Sequence, residues 1–176
     1  MHIRHGSLIA GALILCLTGC ATAQTDAGGP ATSIPPATPT SSPATPAASA
    51  TCDTVLADAE YASLATDGMD LAADTSALGP AMQAMIDDGG LACVWEKSEG
   101  DVRVWFAQVD LDAPGWDAKR AELLAAGYTE GDAPFTGTLT APKDYDPNYT
   151  PALYHRDGVL YFASYPEFLG SVLALQ

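Results

Sequence analysis

Residues 91–109 read LACVWEKSEGDVRVWFAQV, and the way this stretch pairs with itself decides the fold. Two runs, 91–98 and 102–109, flank Glu99-Gly100, and both carry the aromatic and β-branched residues that suit strands. The register can be tested from the side chains. A two-residue loop sets Cys93 opposite Phe106, Val94 opposite Trp105, Trp95 opposite Val104 and Glu96 opposite Arg103, so apolar residues meet and opposite charges meet. A three-residue loop with Gly100 as a bulge sets Trp95 against Arg103 instead. The pattern therefore predicts the two-residue register and, with it, an antiparallel sheet.

A second hairpin follows downstream. Residues 152–156 (ALYHR) and 159–165 (VLYFASY) are joined by Asp157-Gly158, a pair suited to the type I′ turn that matches strand twist. Alternation puts Leu153, His155, Leu160 and Phe162 on one face and Tyr154, Arg156, Val159, Tyr161 and Tyr165 on the other. The first face reads as core, which makes His155 a hydrogen-bonded, partly buried residue rather than a catalytic one. The tyrosines Tyr154, Tyr161 and Tyr165 either form a contact surface or lie beneath a helix; amphipathic aromatics are frequent in both settings.

Helical spacing fills the intervals. Residues 53–64 (DTVLADAEYASL) place Val55, Leu56, Ala59 and Ala62 on one side, with Asp53 or Thr54 as cap. Residues 80–88 (PAMQAMIDD) open on a proline suited to a first helical turn and stop at Gly89-Gly90. Residues 112–126 (DAPGWDAKRAELLAA), ended by Gly127, form the clearest helix, with Trp116, Leu123 and Leu124 expected inward. Residues 166–176 (PEFLGSVLALQ) read as a last helix packing Phe168, Leu169, Val172 and Leu173 on the sheet. The expected class is α+β: an antiparallel sheet built from hairpins, with helices mostly on one face.

The chain before residue 52 has a different character. Residues 21–51 hold six prolines among Ala, Thr, Ser and Gly, with Asp26 the sole charge, and such a stretch buries too little surface to offset its chain entropy. It reads as a disordered tether, a possible O-glycosylated stalk, that in polyproline geometry reaches on the order of 90 Å. Residues 1–5 (MHIRH) are positively biased, and residues 7–17 (SLIAGALILCL) are an apolar run of signal-peptide length. A bilayer-spanning helix needs roughly 20 apolar residues, so this run is too short to be one.

Leu17-Thr18-Gly19-Cys20 closes that run. It resembles the lipobox of bacterial lipoproteins, Leu-small-small-Cys. The resemblance implies cleavage after Gly19 and fatty acylation of Cys20, with palmitate-type chains as the bilayer anchor; the alternative is an ordinary secreted protein with a chance cysteine. One chain anchors only reversibly, whereas two or three hold a protein stably. The implied organisation is a signal peptide over 1–19, a lipidated N-terminus and linker over 20–51, and a single globular domain over 52–176. The implied location is the extracytoplasmic face of the cell membrane.

Removing residues 1–19 takes away Arg4 and none of the 22 acidic residues, which leaves six basic residues and a net charge of about −16. Nucleic acid is an improbable partner for such a chain, because binding it takes clustered Lys and Arg. With Cys16 lost and Cys20 acylated, Cys52 and Cys93 remain, an even pair in an oxidising compartment, and a structural disulfide is expected. An opening cysteine before a short helix, followed by Cys93-Val94-Trp95 at a hairpin, also resembles small actinobacterial surface lipoproteins of unknown function with a Cys…Cys-x-Trp pattern. That resemblance implies a compact α+β fold and brings no catalytic residues.

Recognisable chemistry is sparse. The sequence has no Ser-x-x-Lys, no His-Glu-x-x-His, no phosphate-cradling glycine loop and no Gly-x-Ser-x-Gly to accompany its one mature histidine. Asp144, Asp146 and Asn148 have the first three oxygen spacings of a calcium loop but lack its glycine and its closing glutamate, so the segment reads as a turn. No cofactor or metal is expected. The reading that follows is a non-enzymatic binding or interaction module of the cell envelope, with an envelope protein or ligand as partner. The alternative is a small envelope hydrolase using acidic residues, for which so many acids make any chosen pair uninformative.

Overall fold

The computed structural model describes residues 50–176. The expected signal peptide, Cys20 and nearly all of the linker lie outside the described residues. The element order is α1 (Asp58–Thr66), β1 (Met69–Leu71), α2 (Gly79–Asp87), β2 (Leu91–Lys97), β3 (Arg103–Asp110), α3 (Ala113–Ala125), β4 (Thr129–Gly131), β5 (Thr138–Thr140), β6 (Ala152–Arg156) and β7 (Val159–Ala163). Two 3₁₀ turns, Pro166–Ser171 and Leu173–Leu175, close the chain.

The strands form one seven-stranded antiparallel sheet in the order β1-β2-β3-β7-β6-β5-β4. Its centre is the two hairpins anticipated from sequence. The β2–β3 register pairs Cys93 with Phe106, Val94 with Trp105, Trp95 with Val104 and Glu96 with Arg103. Glu96 and Arg103 also form an ion pair at 2.9 Å. The β6–β7 turn has Asp157 at φ 53° and Gly158 at φ 81°, as type I′ geometry requires.

Both faces of the sheet are buried. One holds Cys93, Trp95, Phe106, Tyr161 and Ala163 under Leu64 of α1 and under Phe168, Leu169, Val172 and Leu175 of the terminal turns. The other holds Val94, Trp105, Ala107, Leu153, Leu160 and Phe162 under α2 (Met82, Met85) and α3 (Leu123). Two of the three α-helices thus lie on one face. Burial on both sides accounts for the nearly continuous apolar runs of the central strands, which alternation alone does not require.

Two helices differ from expectation. Residues 52–57 are not helical: the Ala57 N–H donates to Ser171 O at 2.8 Å, the Leu173 N–H donates to Val55 O at 3.0 Å, and Leu56 bridges Val172. Val55 and Leu56 are buried as expected, but from a non-helical segment of turn and β-bridge that pairs with residues 171–173. That partner segment is the expected last helix. Gly170 weakens a helix there, Val172 is extended at φ −76° and ψ 121°, and only 3₁₀ turns form on either side. As a result Leu173 is 50% exposed rather than packed, and Leu124 on α3 also faces solvent.

Helix ends follow the sequence closely. Asp112 caps α3, its Oδ1 accepting from the Gly115 N–H at 2.9 Å. Gly127 then ends α3 at φ 91°, donating to Leu124 O, while the Tyr128 N–H reaches Leu123 O at 3.0 Å. This is the Schellman arrangement, and it turns Tyr128 back under the helix.

Candidate functional site

The disulfide Cys52–Cys93 is formed, with Cα atoms 5.6 Å apart. It joins the turn before α1 to interior strand β2. Beside it, the Tyr61 hydroxyl donates to Cys52 O at 2.9 Å and accepts from the Leu56 N–H at 3.1 Å. The α1 face is therefore closed by a covalent bond, a tyrosine clamp and the pairing of the segment around Leu56 with that around Val172.

The tyrosines singled out from the β6–β7 hairpin do not share an open surface. Tyr161 is only 5% exposed, within the cluster that holds Phe168 and Leu169. Tyr154 is partly buried and stacks on Phe135 at 4.9 Å. Tyr165, past the end of β7, leaves the stripe and meets Tyr149 at 5.6 Å. Of the two settings open to this stripe, Tyr161 takes the covered one, beneath the terminal 3₁₀ turns that pack on this face. Burial raises the pKa of both Tyr161 and Tyr165 above the usual phenol value.

His155 has a structural role: its Nε2 hydrogen-bonds Leu111 O at 2.7 Å, and its ring stacks on Trp116 at 5.2 Å. Asp146 Oδ1 accepts from the N–H groups of Asn148 and Tyr149, which spends it on a turn. Asp144 and Asn148 are exposed on the same loop. Among the described residues no group of three or more His, Cys, Asp or Glu side chains gathers as a metal cage needs.

Two clefts open on the α2/α3 face. The larger, about 350 Å³, is lined by residues 73–76 with Val94, Glu96 and Arg103. The Trp105 Nε1–H holds its loop in place by donating to Ser76 O at 2.9 Å. The smaller, about 220 Å³, lies between α2 and α3, with Pro80, Ala81, Leu123 and Ala126 as apolar walls and Tyr128 and Tyr145 as aromatic ones. Lys119 and Glu122 also line it and pair with each other at 2.8 Å.

The two phenols of the smaller cleft differ. The Tyr145 hydroxyl donates to Leu78 O at 2.7 Å, and Gly79 leaves room for it, since a Cβ at Gly79 would fall 1.9 Å from that oxygen. Tyr128 is 6% exposed, meets Tyr145 edge-on at 6.1 Å, and carries a buried hydroxyl with no hydrogen-bond partner. Burial, reinforced by the neighbouring Tyr145 phenol, pushes the Tyr128 phenol far above its usual range. Other tyrosines spend their hydroxyls on backbone carbonyls: Tyr61 on Cys52, Tyr145 on Leu78, Tyr149 on Asp101.

Sequence reasoning missed Tyr128 and Tyr145. For Tyr128 a signal existed: the residue after a helix-ending glycine packs back on the last turn. For Tyr145 none did, because its partner Leu78 is 67 residues away. Comparison with protein-family models, curated proteins and solved structures finds no match for the chain.

Proposed function

We propose that this protein is a lipoprotein of the cell envelope, anchored through acylated Cys20 on the extracytoplasmic face of the membrane, which presents residues 52–176 as a non-enzymatic binding module at the end of a tether. The observation that carries the reading is the Cys52–Cys93 disulfide. A cross-link between the first segment of the domain and its central strand suits a chain that folds in an oxidising compartment, and the LTGC sequence at residues 17–20 supplies the route there.

The binding role is supported by how the clefts are furnished. The glutamates of the clefts are held in ion pairs, Glu96 with Arg103 and Glu122 with Lys119, and Asp74 is a second carboxylate lining the larger cleft. The test of anchoring is Cys20→Ala: the variant is expected to leave the membrane fraction for the medium or to accumulate as uncleaved precursor. Fractionation and processing like the parent chain would overturn the reading.

A further inference from the structure

Among the described residues the sheet has two edges, and they are not equivalent. At one, β4 carries Glu130, whose carboxylate pairs with Arg120 on α3. At the other, β1 carries Asp70, which lies directly opposite Glu96 and forms no ion pair among the described residues. Like charges set opposite each other on adjacent strands repel. Glu96 is paired instead with Arg103 on β3, so the row across β1, β2 and β3 reads acid, acid, base. Asp74, exposed on the loop after β1, adds a further carboxylate beside the larger cleft.

The register also fixes what the edge offers. The Ala72 N–H donates to Val94 O at 2.8 Å, so Asp70, two residues back, turns its own N–H and C=O to β2 as well. The N–H and C=O groups of Met69 and Leu71 therefore point outward, the unpaired row that an edge strand presents to another chain. On the face away from Asp70, Leu71 is 43% exposed.

We propose that β1 is a docking edge for an extended segment of another envelope protein that carries a basic residue between two apolar ones. Paired antiparallel to β1, such a segment sets its Lys or Arg opposite Asp70, at the non-hydrogen-bonded position where side chains come closest, and its apolar neighbours opposite Met69 and Leu71. The charge row then becomes base, acid, acid, base. A second copy of this chain does not fit: paired symmetrically through β1, its Asp70 would stand opposite Asp70, between chains of net charge −15. The proposal names a partner chemistry for the binding module above and rests on that reading. Cys20→Ala reads the anchor alone, so either test can fail without the other.

The probe is the end-blocked pentapeptide Ser-Val-Lys-Val-Ser, with Ser-Val-Glu-Val-Ser as its matched control. Each is titrated into the purified full chain at physiological salt, which screens charges beyond about 8 Å, while backbone amides are followed by NMR. The lysine peptide is expected to shift Met69 and Leu71 saturably, to slow exchange of the Leu71 amide, and to bind roughly fivefold to tenfold more tightly than the glutamate peptide. Leu71→Pro removes an outward N–H and no bond to β2, so it should abolish binding. Asp70→Lys should remove the lysine peptide's advantage, and the glutamate peptide should gain affinity, which misfolding cannot produce. The proposal is overturned if neither peptide shifts β1 saturably, if the two bind equally, if Leu71→Pro binds as the parent does, or if Asp70→Lys leaves the lysine peptide favoured.

Discussion

The two faces of the sheet are closed by different means. Over Cys93 and Trp95, the cover is a disulfide, the Tyr61 clamp and the paired segments around Leu56 and Val172. Over Val94 and Trp105, it is two helices and a loop held by single hydrogen bonds such as Trp105 to Ser76, and this is the side with the clefts and the unsatisfied phenol. The difference is one of construction: the cross-linked face is tied covalently and by the Tyr61 clamp, and the helix-covered face holds the clefts. Four substitutions break or sharpen the contrast.

The largest effect belongs to the cross-linked face. The bond joins residues 41 apart in sequence, and in the chain-entropy model a loop of that length contributes about 4 kcal/mol. Replacing both cysteines with alanine should lower the urea midpoint accordingly while leaving the folded α2/α3 face in place. On the other face, Gly79→Ala puts a methyl where the Tyr145 hydroxyl sits and strains a backbone at φ 79°. A loss of about 1–3 kcal/mol is expected from denaturant unfolding, together with a distorted cleft.

Tyr145→Phe removes only the bond to Leu78 O and should cost about 1 kcal/mol by the same assay. Tyr128→Phe removes a buried hydroxyl whose polar neighbour is the Tyr145 phenol, so its stability should stay within about 1 kcal/mol of the parent. The two phenols thus make a paired control within one cleft. Their alkaline behaviour sharpens it. The folded state holds the Tyr128 proton more tightly than the unfolded chain does, with its ordinary phenol pKa of 10.0. That contribution is complete below about pH 10 and lost as pH rises beyond it. Stability should fall on that side, and Tyr128→Phe should make the fall shallower; the remainder comes from Tyr145, Tyr161 and Tyr165, whose phenols burial also raises.

How much of this was legible in the sequence varies by physical cause. The β2–β3 register was, because a one-residue slip would have set Trp95 against Arg103, and side-chain chemistry alone rejects that pairing. The Asp157-Gly158 turn and the stop at Gly127 were legible for a similar reason, since few residues tolerate positive φ. The non-helical state of residues 52–57 was not. Val55 and Leu56 fit a helical face as well as a strand, and what decides between them is Val172, more than 110 residues downstream. The same blindness to distant partners left the covering of Tyr161 undecided and hid the reach of Tyr145 to Leu78, so the smaller cleft could not be seen before the helices were placed.

The division between the faces is tested most directly by native-state hydrogen exchange on the oxidised protein, read amide by amide. Ala57 and Leu173, which bond across the paired segments around Leu56 and Val172, should exchange only through global unfolding, whereas the amides of α2 and α3 should exchange through local opening at lower free energy. In the variant lacking both cysteines, Ala57 and Leu173 should fall toward the helices. If α2 and α3 prove as protected as Ala57 and Leu173 in the oxidised protein, or if removing the disulfide leaves the order unchanged, the cross-linked face is not the stable one and the account is contradicted.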